Sequence, residues 1–499
     1  MTDRTSRTLL ALILLLGAAL RLYGLGKQSL WLDELASWQQ SSYSTVAEVI
    51  TKGVGTDFHP PGYQVLLFGV ERGLGTTEFD LRLPSALFGI ASIALVFFLA
   101  RYLYSDREGL ISAAFVSVLF YPLLFSQTAR SYSMLMASSL AATLLWTMML
   151  RHMGIGRPPP RKVLIGYIPL AVICSYTHYF GTYLVLLQAA SALLVACRFR
   201  TAIWKIGCTY AAVLALYSPW IPGMLGHVGK HSPWIRPLAT DAFLSFIYYG
   251  FNSAPKLGWV AILLYVSLFA TTLIDRRRGR AGVGVRRIGG IAPGLLLVLW
   301  LVIPFGGAYL KSILSVPVLS FRNMVISLPA LYILLARSIT RLPLRGIGQA
   351  VVAGGLVCVL LWHLIFGIDF YGPPPRPVEG ERAGAFKQQF REAVWYITDR
   401  EEEYPDSFVI GLTAYRALFD YYFERADSPL RVEAMGGHKG DIERIRGKIE
   451  ERAPRYVWHI AAHARLAPEF LEAMAADMHE VEHKLFYRAE VRLYERRSD

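Results

Sequence analysis

Apolar segments of membrane-spanning length recur throughout residues 1–369 and are separated by short polar gaps. A helix needs roughly 20 apolar residues to cross the hydrocarbon of a bilayer. By that measure the sequence predicts about eleven spanning helices. They lie near 8–25, 84–103, 109–125, 132–150, 163–176, 180–196, 203–221, 258–274, 291–310, 324–336 and 347–368. We therefore predict a polytopic α-helical membrane protein.

Residues 370–499 follow a different pattern, which begins after the stiff proline-rich linker YGPPPRP. Two segments, GAFKQQFREAVWYITDREEE and APEFLEAMAADMHE, have helical periodicity. SFVIG and RYVWHIAA are typical of strands, and KLFYRAEVRLYER alternates like a strand pair. This mixture predicts a small soluble α/β domain. His459 and His463 have metal-like spacing but no carboxylate partner, so we expect no metal there.

Composition agrees with a membrane protein, since 54% of residues are hydrophobic, 13% aromatic and only 18% charged. The net charge of +14 is not a nucleic-acid footprint, because the arginines cluster in the gaps between apolar segments. These gaps mark the cytoplasmic side, so the N-terminus is expected there. An odd number of spans then places residues after 369 on the exterior, or periplasmic, side. The four cysteines lie within apolar segments and show no disulfide or metal spacing.

The first exterior loop, residues 26–83, is long and patterned. STVAEVITKG and PPGYQVLLFGVERGLG are predicted to be amphipathic helices in the membrane interface, the second beginning correctly with proline. Ahead of them, SLWLDELASWQQ places two adjacent carboxylates between tryptophans at the membrane edge. A loop of this kind would cover a cavity enclosed by the spanning helices.

Polar and ionisable residues gather at the exterior ends of the predicted helices. Such residues are costly near a membrane and usually face a cavity or a partner. We therefore select as candidates Asp33, Glu34, Asp57, His59, Arg82, Gln127, Arg130, Tyr132, His178, Lys311 and Arg322.

Four ordered motifs, WLDE, DFHPPGYQVLL, RLPSALFG and SQTARSYSMLM, resemble those of the family 39 glycosyltransferases of the GT-C fold. This family includes protein O-mannosyltransferases and the bacterial enzyme that adds aminoarabinose to lipid A. The resemblance covers roughly the first 150 residues; later helices match in hydropathy alone and the soluble domain in placement alone. It implies a bacterial inner-membrane enzyme that transfers a sugar from a polyprenyl-phosphate donor, with inversion, to a lipid, glycan or protein acceptor.

The resemblance also implies roles for the candidates. Asp33 matches the acidic position of the family motif and is assigned as general base, with Glu34 as second choice. The departing phosphate gains negative charge, so Arg130, followed by Arg82, Lys311 and Arg322, is assigned to stabilise it. Asp57, His59, Gln127, Tyr132 and His178 are assigned to substrate contacts.

Several alternatives stay open at this point. Asp33 could cap a helix or pair with Arg21, and Asp33, Glu34, Asp57 and His59 together could hold a divalent cation. The sequence establishes no cofactor, and metal dependence stays open. The main alternative function is a transporter or flippase of lipid-linked sugars, although we find no internal repeat or pair of broken helices. The third possible function is a noncatalytic protein that binds the carrier lipid, and this function would not require Asp33.

Overall fold

A computed structural model describes residues 3–56, 59–227, 235, 240–277, 287–375, 386–412, 417–435, 439–462 and 468–497 of the chain. The chain forms two compact units. The membrane unit comprises Met1–Tyr23, Ser44–Val70 and Arg82–Asp369, and the sheet unit comprises Gly24–Tyr43, Glu71–Leu81 and Phe370–Asp499. Two pieces of the chain before residue 83, Gly24–Tyr43 and Glu71–Leu81, thus belong to the same unit as the C-terminal residues.

Helices dominate the described residues up to Asp369. In chain order they are α1 (Asp3–Leu22), α2 (Leu32–Ser41), α3 (Val46–Glu48), α4 (Gly62–Gly73), α5 (Glu78–Leu103), α6 (Asp106–Val118), α7 (Phe120–Ser126), α8 (Tyr132–Gly154), α9 (Arg161–Thr177), α10 (Tyr179–Arg198), α11 (Ile203–Tyr217), α12 (Ile221–His227), α13 (Ala242–Gly250), α14 (Pro255–Arg277), α15 (Pro293–Leu314), α16 (Leu328–Thr340) and α17 (Gly346–Trp362). Short π-helical turns follow α3 and α17, and a 3-10 turn, Asn323–Ser327, precedes α16.

Eight helices among the described residues are long and apolar enough to cross a membrane. They are α1, α5, α8, α10, α14, α15, α16 with its preceding turn, and α17 with its following turn. The pair α6 and α7 raises the number to nine if it forms one bent span. The predicted polytopic helical class is confirmed, whereas the predicted number of about eleven exceeds what this measure supports.

Two predicted spans account for the difference. Segments 163–176 and 203–221 are both helical, but α9 has 17 residues and α11 has 15. Each alone is shorter than the roughly 20 residues needed to cross the hydrocarbon. Pro219, just beyond the end of α11, lacks the N–H that would continue the helix.

The bend between α6 and α7 is a 61° change of direction at Leu119. Leu119 has extended backbone angles, so the helical hydrogen-bond ladder is interrupted there. Asn252 compensates, because its Oδ1 accepts a hydrogen bond of 2.9 Å from the amide of Phe120. Pro122 in the first turn of α7 needs no such partner.

The sheet unit contains a five-stranded mixed sheet with the strand order β2-β1-β3-β5-β4. The strands are β1 (Ser407–Leu412), β2 (Val432–Met435), β3 (Tyr456–Ala462), β4 (Met478–Phe486) and β5 (Ala489–Arg496). β1 is parallel to both β2 and β3, whereas β5 is antiparallel to β3 and β4. The helices are α18 (Phe390–Thr398), α19 (Ala417–Arg425), α20 (Lys439–Arg452) and α21 (Pro468–Asp477).

The C-terminal elements follow the sequence prediction in part. The sequence analysis does not predict β2, α19 or α20. In addition, α18 is only nine residues long, and α21 ends at Asp477 rather than continuing to Glu480. The last difference has a packing cause, because Met478 begins β4 and buries its side chain in the apolar core of the sheet. Burial of that side chain outweighs local helix propensity.

Candidate functional site

The WLDE motif forms the start of α2. Trp31 is the residue before the helix, and its backbone N–H donates to Oε2 of Glu34 at 3.2 Å. Glu34 thus satisfies one of the donors that the first turn of a helix leaves without an intrahelical partner. Two acidic residues in this turn also favour helix formation through the macrodipole.

Glu34 also forms a buried ion pair within the sheet unit. Its Oε1 lies 3.0 Å from Nζ of Lys387, and the side chains are 0% and 8% exposed. Three further hydrogen bonds hold the same stretch: Leu32 N–H donates to Oε1 of Gln388, Leu30 N–H donates to the Tyr422 hydroxyl, and Lys387 N–H donates to Oε1 of Gln28. The start of α2 is therefore fixed by residues that lie more than 350 positions away in the sequence.

Asp33 occupies a different environment from its neighbour. Its side chain is half-buried rather than interior. The backbone carbonyl of Asp33 accepts a hydrogen bond of 3.0 Å from the Ser37 hydroxyl one turn later in α2. Its carboxylate belongs to the first turn of α2.

In the membrane unit, Arg130 lies in the tight turn between α7 and α8 and is 8% exposed. Two bonds connect this turn to neighbouring helices. The Ser85 hydroxyl of α5 donates to the Arg130 carbonyl at 3.2 Å, and the Ser85 and Tyr63 hydroxyls lie 2.9 Å apart. Tyr63 belongs to α4, so this chain of contacts positions Arg130 against two other helices.

Arg82 lies one turn before Ser85 on α5 and is 1% exposed. Residues three apart share a helix face, so Arg82 lies on the face that contacts the Arg130 turn. Two interior guanidinium groups at the starts of α5 and α8 are expensive in a membrane protein unless an anion or other polar groups compensate them. The N-terminal ends of both helices add partial positive charge.

His59 and His178 are brought together, with ring centroids 5.0 Å apart in an edge-to-face arrangement. His178 precedes α10, and its Nδ1 accepts a hydrogen bond from the Phe180 amide. Gly62 permits this approach, because a Cβ there would lie 2.6 Å from the Tyr176 carbonyl oxygen. The small residue at the start of α4 therefore allows α4 to pack against the end of α9.

The side chain of Gln127 contacts the end of α1. Its Nε2 lies 3.1, 3.1 and 2.9 Å from the carbonyl oxygens of Leu20, Arg21 and Tyr23. Arg21 itself is fully buried, and its guanidinium donates to the Ser126 hydroxyl and to the carbonyls of Gly17, Ser117 and Val116. Both side chains thus fasten the end of α1 to α6 and α7.

The remaining candidates occupy varied positions. Tyr132 is buried at the start of α8 and packs on Phe125 with ring centroids 4.6 Å apart. Arg322 is half-buried at the start of the 3-10 turn that packs against α8. Lys311 is exposed in the last turn of α15. Asp57 lies outside the described residues.

Within the membrane unit, the structure brings His59 to His178 and sets Arg82 and Arg130 on contacting elements. Asp33 and Glu34 belong to the sheet unit. No group of three possible metal ligands occurs among the described residues. Sequence reasoning missed Lys387, Ser85 and Tyr63, although Ser85 lies three residues after Arg82 in the motif RLPS and Tyr63 lies in HPPGY.

Comparison with known proteins supports the same region. Residues 58–222 match the family model described as dolichyl-phosphate-mannose-protein mannosyltransferase, less than half of the chain. This segment contains His59, Arg82, Gln127, Arg130, Tyr132 and His178. No curated protein matches the sequence.

Solved structures similar to the chain include ArnT from Cupriavidus metallidurans in the apo state. It has 13% sequence identity and a TM-score of 0.55, and the match covers 99% of this chain and 98% of that one. The same protein bound to undecaprenyl phosphate matches with 13% identity and a TM-score of 0.55, covering 97% of each chain. The predicted GT-C fold is therefore confirmed.

Proposed function

We propose that this protein is a membrane glycosyltransferase that moves a sugar from a polyprenyl-phosphate donor to an acceptor hydroxyl or similar nucleophile, with inversion at the anomeric carbon. The observation that carries the proposal is the pair of interior guanidinium groups of Arg82 and Arg130 in the segment that matches the mannosyltransferase family model. The likeness to ArnT bound to undecaprenyl phosphate supports a polyprenyl-linked donor.

Arg130 binds the carrier phosphate, with Arg82 beside it on the neighbouring helix. When the bond between the sugar and the phosphate oxygen breaks, a phosphodiester becomes a phosphomonoester and gains negative charge. Guanidinium groups stabilise that charge through charge-assisted and often bidentate hydrogen bonds. Because they are held rigidly and away from water, little reorganisation is needed during the reaction. Arg322 and Lys311 are further candidates for the same phosphate.

Asp33 acts as the general base. As the acceptor oxygen forms a bond to the anomeric carbon, its proton passes to the Asp33 carboxylate and the carrier leaves as polyprenyl phosphate. Glu34 is assigned a positioning role, because both of its carboxylate oxygens are engaged inside the sheet unit. Its ion pair with Lys387 holds the helix that carries Asp33.

His59 and His178 form a polar aromatic pair suited to sugar or phosphate oxygens, and we assign them to donor contacts. Asp57 and Tyr132 are assigned to the substrate in the same way. Gln127 remains a predicted substrate contact, although the described geometry gives its amide nitrogen a role at the end of α1. These roles follow from side-chain chemistry and from the sequence motifs.

We place the reaction at the exterior face of a bacterial inner membrane, with the N-terminus in the cytoplasm. The arginine-rich loops support this orientation. The acceptor belongs to the lipids, glycans or proteins of the cell envelope.

The decisive experiment incubates membranes containing the protein with radiolabelled polyprenyl-phosphate sugars and identifies the labelled product. Asp33→Asn is expected to lower transfer by at least about 100-fold, the lower end of the contribution of general base catalysis, while binding of the donor is retained. Asp406→Asn is the matched control, since this exposed aspartate has a left-handed φ of 58° that asparagine also adopts.

Three outcomes distinguish the alternatives. Loss of transfer in Asp33→Asn but not in Asp406→Asn supports the glycosyltransferase. Movement of the labelled donor across sealed vesicles without a new product indicates a flippase. Donor binding without either activity indicates a noncatalytic lipid-binding protein.

A further inference from the structure

A polar cavity in the membrane unit lies at the far end of α5, which carries Arg82, and of α8, which follows Arg130. It has a volume of about 870 Å³ and is lined by the last turns of α5 and α8, the start of α6 and the last turn of α16. Three of these helices are long enough to span a membrane. The cavity therefore lies at the level where lipid head groups begin.

Four arginines and two carboxylates face this cavity: Arg101, Arg107, Arg151, Arg337, Asp106 and Glu108. Two of the arginines are paired. Arg337 lies 2.5 Å from the buried Glu108, and Arg101 lies 2.9 Å from Asp106. In the part of the chain that the structure describes, no carboxylate lies within 4 Å of the guanidinium of Arg107 or Arg151. The cavity wall thus has an excess of two positive charges.

Arg151 is held in place although it has no acidic partner, because its guanidinium lies 5.1 Å from the ring centroid of Tyr102. Such a cation–π contact orients the guanidinium over the aromatic ring. The N–H groups at the edge of the guanidinium stay available to another ligand. Arg107 is exposed at the start of α6. An anion with several oxygen atoms would satisfy both groups.

An apolar cleft adjoins the cavity at Leu103, which lines both. The cleft has a volume of about 260 Å³ and lies between α8, α10 and α15, with walls that include Leu187, Leu194 and Leu299. Gln188 in its wall is engaged by the Tyr167 and Thr143 hydroxyls, so the cleft offers a lining of apolar side chains. A cationic cavity at head-group level beside an apolar cleft at hydrocarbon depth matches the shape of one lipid.

We propose that this arginine cavity binds an anionic phospholipid, with its phosphate on Arg107 and Arg151 and an acyl chain in the apolar cleft. Basic pockets between spanning helices commonly bind acidic head groups. The bound lipid would join the ends of α5, α8 and α16, and so would stabilise the helices whose opposite ends carry the candidate site. The proposal does not depend on the chemistry at that site.

The test uses the full-length protein purified in a mild detergent and then placed in bilayer nanodiscs. Native mass spectrometry measures retained phospholipid, and thermal unfolding is compared in phosphatidylglycerol and phosphatidylcholine nanodiscs. We expect the wild type to retain phosphatidylglycerol and to melt at a higher temperature in it. The variant Arg107→Gln/Arg151→Gln should retain at least fivefold less, because two charge-assisted contacts are lost.

The matched control is Arg198→Gln/Arg345→Gln, which removes the same charge from exposed arginines outside the cavity. It should behave like the wild type. A second variant, Ala190→Trp, fills the cleft from an exposed position and should lower lipid retention while leaving the arginines intact.

Three results would overturn the proposal. One is equal retention of phosphatidylglycerol and phosphatidylcholine by the wild type, and another is equal loss in the cavity and control variants. The third is stabilisation by millimolar inorganic phosphate that matches the effect of the lipid and is unaffected by Ala190→Trp, which would indicate a soluble anion instead.

Discussion

The ammonium group of Lys387 lies 3.0 Å from Glu34, inside the sheet unit and next to the aspartate proposed as base. A buried pair of this kind is not strong evidence of net stabilisation, because both charges lose hydration. Removing one partner is a different matter, since the other charge then stays buried without compensation. The main role of the pair is therefore to fix the position of the start of α2.

Removal of one partner should destabilise the sheet unit. Lys387→Met leaves Glu34 buried and charged, and such changes cost about 3–5 kcal/mol. We expect a clear fall in the melting temperature followed by tryptophan fluorescence. The double variant Glu34→Gln/Lys387→Met should recover most of the loss.

The control for this prediction is Lys52→Met, which breaks the exposed pair of Lys52 with Glu48 at 2.8 Å. Solvent and salt screen exposed pairs, so little change in the melting temperature is expected. Equal effects of Lys52→Met and Lys387→Met, or no recovery in the double variant, would show that the buried pair has no special importance.

The rate of transfer should depend on the geometry of the Arg130 side chain as well as on its charge. Arg130→Lys keeps the positive charge but loses the planar fork that binds two phosphate oxygens. We expect kcat to fall about 10-fold to 100-fold in the lysine variant and on the order of 100-fold to 1000-fold in Arg130→Met. Steady-state kinetics with a polyprenyl-phosphate sugar provide the measurement.

Arg198→Lys serves as the conservative control for Arg130, since Arg198 is exposed in the last turn of α10. Unchanged kinetics in Arg130→Met, with normal folding by size-exclusion chromatography, would remove Arg130 from the reaction.

Gln127 offers a test between a structural and a substrate-binding role. Gln127→Leu removes the amide that faces three carbonyls at the end of α1. Leaving buried acceptors without a donor costs about 1–3 kcal/mol. We expect a lower melting temperature with an unchanged KM for the donor. An increased KM at unchanged stability would instead support the predicted substrate contact.

The sequence was most informative where physical constraints act locally. Hydrophobic length predicted α5, α8, α10, α14, α15 and α17 near their observed positions, because each must cover the hydrocarbon with its own residues. The strands β1 and β3 and the β4–β5 pair also carry their own pattern. In contrast, α9 and α11 show that apolar composition alone does not determine helix length.

Contacts between residues far apart in the sequence cannot be predicted from a local pattern. The helical periodicity predicts a helix that includes Lys387, whereas α18 begins at Phe390 and the lysine pairs with Glu34. Gln127 stays a predicted substrate contact, and the carbonyls that its amide faces belong to a helix about 100 residues earlier, which no local pattern indicates. Candidate residues can thus be selected from sequence, but their partners depend on tertiary packing.

Acid is expected to destabilise the sheet unit through the buried His459. His459 lies in β3 fully buried, and burial together with the nearby Arg492 lowers its pKa from 6.5 to about 3. Neither ring nitrogen has a hydrogen-bond partner among the residues that the structure describes. Above pH 6.5 the histidine is neutral in both folded and unfolded chains, so its effect on stability is constant. Below that pH only the unfolded chain gains the proton, which favours unfolding.

We therefore expect the sheet unit to lose about 2 kcal/mol between pH 7 and pH 5 from this residue, at about 1.4 kcal/mol per pH unit below 6.5. Hydrogen exchange of the β3 amides, corrected for the intrinsic effect of pH, measures the change in the full-length protein. His459→Leu should flatten the pH dependence, whereas His479→Gln, at an exposed histidine of β4, should leave it intact. The same slope in His459→Leu and the wild type would show that other groups control the acid sensitivity.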